Sequence, residues 1–376
     1  MRAMGIAATL ALAACGRFGF GDQAVADGAH DATPVVGWSR LDSFADHTCA
    51  LYEERVYCWG SNTVGQLGDG TMTNRSTPTL IALPAGRVEV LSTGSQSSCA
   101  IIDGDVWCWG EEFGGPLQLA TGAPASVVTV GHDFLCLTAD QTSCMGTNEK
   151  GELGDGTTMS RTTLAPIAGP RMRAIHAGED HACALPAQGG GPLCWGHNDD
   201  GFLGTGSLTP DYSTLPVAVS GGLTSLPIAG SWHACALEAG EVWCWGRGGN
   251  GELGNGGTEA SAVPLRVPAL ANVTALDVAG MDTSQDASCA IADGDVWCWG
   301  MGLDGRLGTG RADPEYVPAR VAGLPAAAVE IALGYGHTCA TLVDGDVWCW
   351  GRGSAGQLGD GSRSGSFVPV RVQRPQ

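Results

Sequence analysis

The run Ser98-Cys99-Ala100-Ile101-Ile102-Asp103-Gly104-Asp105-Val106-Trp107-Cys108-Trp109-Gly110 decides the fold. Asp-Gly between two apolar segments suits a two-residue type I′ turn, so 98–102 and 105–109 read as the arms of a β-hairpin. Counting outward from the turn, Ile102 faces Asp105 as a hydrogen-bonded pair. Cys99 then faces Cys108 at a non-hydrogen-bonded position, where opposed Cα atoms approach to about 4.5 Å and a disulfide can close. Alternation puts Trp107 and Trp109 on one face of the strand and Cys108 on the other. Both faces are apolar, as expected of a sheet packed between neighbouring sheets.

The hairpin is repeated. Its cysteine pairs are Cys49-Cys58, Cys99-Cys108, Cys136-Cys144, Cys183-Cys194, Cys235-Cys244, Cys289-Cys298 and Cys339-Cys349, and a bridge is expected in each. Trp-Gly follows the second cysteine at Trp59, Trp109, Trp195, Trp245, Trp299 and Trp350, with Met145-Gly146 in its place in the third copy. Asp293-Gly294 supplies the turn in the sixth copy, Val343-Asp344-Gly345 a three-residue loop in the seventh, and Pro186 to Pro192 a longer loop in the fourth. A Gly-x-Leu-Gly-x-Gly segment follows at 65–70, 151–156, 201–206, 251–256, 305–310 and 356–361. No strand-to-helix context follows these glycines, so they read as compact turns, not phosphate cradles. A proline-bearing strand and a strand ending in Gly complete a unit of about fifty residues. The second copy is about fourteen residues short. There 115–119 replaces the glycine turn and the proline strand shrinks to the stretch around Pro124, so an edge strand is expected to be lost or reduced.

Four short strands per unit, with no useful helical period, predict an all-β fold: a seven-bladed β-propeller of four-stranded antiparallel blades. The 376 residues are 44% hydrophobic and include 59 glycines without a three-residue period, which excludes disorder and collagen. The net charge of −20, with Lys150 as the one lysine, argues against nucleic acid, whose affinity needs cations facing phosphates.

Arg2 precedes an apolar run over 3–14 that is too short to span a bilayer. Leu12-Ala13-Ala14-Cys15 resembles the bacterial lipoprotein signal motif. The resemblance implies removal of 1–14, lipidation of Cys15, and a flexible stalk over 15–34 ahead of a propeller over 35–376. The expected location is the cell envelope, on the periplasmic or cell-surface side of a bacterial membrane.

The unit Gly-x-x-His-x-Cys-Ala-Leu, then Val-Trp-Cys-Trp-Gly, then Gly-x-Leu-Gly-x-Gly, clearest at 230–256 and 334–361, resembles the repeat of the regulator of chromosome condensation family. The resemblance implies closure of the ring by joining the two chain ends in one blade, with 369–372 pairing beside 35–41. The paired cysteines depart from cytosolic and nuclear members and suit an oxidising compartment. Exported relatives of this kind imply protein binding through loops on one propeller face.

His47, His181, His233 and His337 share one repeat position and read as structural polar groups. Zinc would leave the copies without histidine unexplained, whereas disulfides account for all seven. His176, Glu179, Asp180, His197, Asp199 and Asp200 in the fourth copy could converge on a metal or serve hydrolysis, or form a solvated acidic rim. Asp69, Asp155 and Asp360 read as turn-stabilising. The loops before the hairpins carry Ala45-Asp46, Ser95-Gln96, His132-Asp133, Glu179-Asp180, Ser231-Trp232, an expanded 281–286 and Tyr335-Gly336. Aromatic anchors among polar groups suit a protein contact. The expected partner-binding residues are Trp232, Tyr335, Met281, Asp282, Asp286, His132, Asp133, Glu179 and Asp180, with Trp232 and Tyr335 exposed. The expected function is an envelope-anchored, non-enzymatic protein-interaction or scaffold propeller, monomeric, with an unidentified protein partner and no cofactor. The alternative is an exported hydrolase or metal-dependent enzyme with a site on a propeller face.

Overall fold

A computed structural model describes residues 37–280 and 286–375. Four consecutive strands make each of seven antiparallel sheets, so every blade is a simple up-and-down meander. The first strands of neighbouring blades touch all the way round, from Trp38–Phe44 in blade 1 to Ala328–Leu333 in blade 7 and back, which closes the ring about an axis. The loops joining first to second and third to fourth strands emerge together on one face, held by bonds such as Glu111 N–H to the Gln96 carbonyl and His197 N–H to the Asp180 carbonyl. The hairpin turns and the blade-to-blade connections lie on the other.

The chain ends do not share a blade. The last strand, Ser366–Arg371, pairs with Val347–Gly351 inside blade 7, and the first pairs with His47–Tyr52 inside blade 1. The expected pairing of 369–372 beside the start of the chain is therefore overturned over the described residues, because the C-terminal strand already completes its own blade. Closure comes from packing. Trp38 N–H donates to the Gly345 carbonyl, the Glu330 carboxylate accepts the Arg40 N–H, and Trp59 Nε1 donates to the Gln357 carbonyl of blade 7.

The central hairpins follow the sequence arithmetic. Asp103 and Gly104 both have positive φ, at 50° and 85°, as a type I′ turn requires, and Cys99 pairs with Cys108. All seven bridges form, each with a Cα separation of 4.1 Å and each between fully buried sulfurs.

Between blades the glycine turn is the fastener. Its leucine is buried, and its second glycine lies flat on the tryptophan of the next blade: a Cβ at Gly254 would sit 2.7 Å from Trp299 Nε1. The carbonyl before the leucine accepts the indole N–H from Trp59 at Gln357, Trp195 at Glu152, Trp245 at Phe202, Trp299 at Glu252 and Trp350 at Arg306, whereas Trp109 Nε1 makes no such bond. The third glycine donates its N–H to the outer strand of the next blade, as Gly256 does to Tyr316.

Blade 2 breaks this pattern, though not by losing a strand. Its outer strand, Gly114–Leu119, has a full six residues and pairs with Asp105–Gly110. Residues 115–119, expected to replace the glycine turn, are that strand, and Pro116 holds the place of Pro78 in blade 1. What is missing is the connection. Blade 1 spends 61–74 between paired Gly60 and Arg75, whereas blade 2 crosses from Gly110 to Gly114 through 111–113 alone.

Candidate functional site

The missing turn leaves its neighbour uncovered. A tryptophan at the repeat position of blade 3 would have nothing to pack under, and Met145 stands there. Two adjoining cavities open over this junction on the loop face. The inner one, 430 Å³, lies toward the axis between Glu111, Glu112, His132 and Asp133. The outer one, 630 Å³, runs down the flank over Leu117, Leu119 and Met145 to Thr162. Both share Glu112, Phe113 and Thr147, so they form one cleft with an acidic mouth and an apolar floor.

Electrostatics distinguish this side of the face. Burial, with Asp133 and Glu111 nearby, raises the Glu112 carboxyl above its usual range. His132 Nδ1 lies 3.2 Å from Asp133 Oδ2, and the hydrogen bond between them raises the imidazole and lowers the carboxyl. In blade 4, burial pushes Glu179 up to about 7 and raises Asp180 as well. By contrast, carboxylates on blades 1, 3 and 6 are matched by arginine: Asp69 by Arg75 at 2.6 Å, Asp155 by Arg161 at 2.7 Å, and Asp304 and Asp46 by Arg352 of blade 7 at 2.9 and 3.6 Å.

Of the residues expected to bind a partner, His132, Asp133, Glu179 and Asp180 do gather on one sector of the rim, within electrostatic reach of one another. Tyr335 is not exposed. Its ring is 6% accessible and packs against Phe44 at 5.4 Å, because the rim loop of blade 7 folds under its neighbour and donates its N–H to the Ala45 carbonyl. Trp232 is half-buried, with its ring against His197 and Phe202 at 5.6 and 5.5 Å. Asp286 is buried and structural: its Oδ2 accepts the Trp232 N–H at 3.1 Å and meets His233 Nδ1 at 3.3 Å. Met281 and Asp282 lie outside the described residues. Glu111, Glu112 and Phe113 escaped the sequence reading, although the short second copy and the tryptophan missing from the third both pointed to them.

The other ionisable groups have local employment. The residue facing the first cysteine of a hairpin accepts a backbone N–H from the next blade: Asp42 from Thr93, Ser92 from Val130, Thr129 from Ala177, His176 from Ala229 and Asp277 from Leu333. The repeat histidines reach a hydroxyl in the neighbouring blade at 2.8 Å, His47 at Ser98, His233 at Ser288 and His337 at Thr48. His181 meets no such hydroxyl, because Ala234 holds that place. Burial lowers His47, His181 and His337 to about 3, so they are neutral at physiological pH. Asp69 Oδ1 accepts from Thr71 and Asn62, and Asp155 Oδ1 accepts from Thr157, which commits both to their turns. His197 Nε2 lies 2.7 Å from Asp199, with Asp180 at 4.0 Å from the other ring nitrogen. Among the described residues, no three His, Cys, Asp or Glu side chains are arranged to hold a metal ion.

The sequence profile of the regulator of chromosome condensation (RCC1) repeat matches residues 53–101, 239–291, 293–341 and 344–376. The Arabidopsis thaliana ultraviolet-B receptor UVR8 is 31% identical over 261 residues, 68% of this chain and 46% of the receptor. The human E3 ubiquitin-protein ligase HERC2 is 41% identical over 93 residues, 24% of this chain and 2% of the ligase. The chain thus spans less than half the length of these relatives. Among solved structures, Prp20p of Saccharomyces cerevisiae superposes with a TM-score of 0.72 at 18% identity, over 90% of this chain and 88% of that one. Human WBSCR16 gives 0.72 at 20% identity, over 85% and 94%. At such identities the structural likeness is one of fold. Repeat signature and closed ring of four-stranded blades together make this chain a seven-bladed propeller of the regulator of chromosome condensation repeat family.

Proposed function

We propose that the chain is a non-enzymatic interaction propeller, exported and tethered to the cell envelope through Cys15, that takes a protein partner on its loop face over the junction of blades 2 and 3. The cleft left by the missing turn carries this reading. On the loop face it leaves both apolar surface and unmatched carboxylates accessible, as a protein contact needs. The direction of the chain agrees with it. Trp38 enters the propeller at the hairpin face, beside Gly345, so a lipid on an N-terminal stalk would leave the loop face turned away from the membrane. The yeast relative's structure is described with its binding to Gsp1p and histones, and another with Kap60 bound, so proteins of this fold do serve as docking surfaces.

The test is capture from the envelope fraction of the producing cell. Wild-type protein should retain a partner that Met145→Trp, which fills the cleft, does not, while Glu53→Gln on the hairpin face behaves as wild type. Retention unaffected by Met145→Trp would refute the site. Cys15→Ser should move the protein from the membrane pellet to the soluble fraction, and a pellet unchanged by it would refute the tether.

A further inference from the structure

Resting on that reading, we infer that the cleft between blades 2 and 3 receives a basic, extended protein segment, an arginine or lysine side chain entering between Glu111, Glu112 and Asp133 while an apolar side chain two positions away lies on Phe113 and Leu117. Charge complementarity is the first argument. Among the described residues Glu111 and Glu112 form no ion pair, in contrast to Asp69, Asp155 and Asp304 on blades 1, 3 and 6, each matched by an arginine. Arg161, the one arginine at the cleft, is already bound to Asp155. The inner cavity therefore presents three carboxylates against one imidazole, itself bonded to Asp133. In a partly desolvated site, an incoming guanidinium gains more than it would on open surface.

Shape is the second argument. The acidic mouth is continuous with an outer channel whose floor is Phe113, Leu119 and Met145, with Leu117 52% exposed at its edge. Acidic and apolar sites succeed one another along one groove, and an extended chain turns its residues i and i+2 to the same face, so a basic residue and an apolar one two positions apart would meet both. An anionic or wholly apolar segment would satisfy only half of it.

The probe is a fluorescein-labelled Arg/Leu peptide of repeating Arg-Ser-Leu-Ser, which puts Arg and Leu in turn on one face, added to the full-length protein and followed by anisotropy, with a Glu/Leu peptide of repeating Glu-Ser-Leu-Ser beside it. Glu111→Gln with Glu112→Gln should weaken binding of the Arg/Leu peptide at least tenfold, and raising salt from 50 to 300 mM should weaken it further. The matched control is Glu53→Gln with Glu54→Gln, two neighbouring glutamates beside a 390 Å³ cavity on the opposite face. That pair should leave affinity within twofold. Equal losses from the two pairs would mean general attraction to a chain of net charge −20 and would overturn the inference. So would equal binding of the Glu/Leu peptide, or no binding of either. All four residues are exposed, so folding is not at stake, and unchanged melting checks it. If the Arg/Leu peptide fails while Met145→Trp still abolishes partner capture, the interaction reading survives and the basic segment does not.

Discussion

The junction between blades 2 and 3 and the junction between blades 5 and 6 are built from equivalent positions and end differently. At the second, Gly254 lies on the Trp299 ring, the Glu252 carbonyl accepts the indole N–H, and Gly256 ties to the next outer strand. Equivalent glycines cover Trp59, Trp109, Trp195, Trp245 and Trp350. At the first, 111–113 replace the turn, Met145 replaces the tryptophan, and a cleft stands where the fastener would be. A turn and the tryptophan it covers belong to different repeats, so losing one removes the reason for keeping the other. Interface and site are alternative uses of the same position.

The largest test of this contrast is Trp299→Ala, which should cost about 3 to 5 kcal/mol by leaving a cavity under an intact turn. Met145→Ala should cost clearly less, because Met145 borders a cleft already open. Equal losses in denaturant titrations would mean that the turn adds nothing to the junction. Next comes Gly254→Ala, about 3 kcal/mol or more, since φ is +64° and the new methyl meets the indole. Gly114→Ala, at φ +69° with open space around it, should cost only about 1 kcal/mol, the backbone strain alone. Similar losses for both would locate the whole effect in φ.

A smaller pair probes the polar ring. Ser288→Ala should destabilise by about 1 kcal/mol by removing the hydroxyl from His233, and Ala234→Ser should recover a similar amount by giving His181 the partner its counterparts have. A destabilising Ala234→Ser would show that the hydroxyl does not fit there.

Acid response separates the neutral core from the charged rim. His47, His181 and His337 bind protons in the unfolded chain near pH 6.5 but resist them in the fold down to about 3. Their depressed values mean that stability falls as pH drops through that window. Glu179, raised to about 7, works the other way: its penalty is present above pH 7 and relieved between 7 and about 4.5. Glu179→Gln should therefore raise stability by about 1 kcal/mol at pH 8.5, after allowance for its partial exposure, and have no effect at pH 4. A gain that persists at pH 4 would assign the effect to packing.

What could be read from residues alone was whatever neighbours in sequence decide. Asp103-Gly104 and strict alternation place Cys99 opposite Cys108, and seven repetitions of that local geometry give seven bridged blades. Burial at the rim was not legible in the same way. Tyr335, Trp232 and Asp286 looked like surface because their loops are polar, yet each is covered or bonded by a neighbouring blade of the ring. How the ring closes, and where the cleft opens, are likewise decided by contacts between residues one repeat or a whole chain apart. A local pattern specifies hydrogen bonds within a hairpin, but which side chain ends up beneath which turn depends on how rigid blades settle against one another, and only the assembled propeller fixes that.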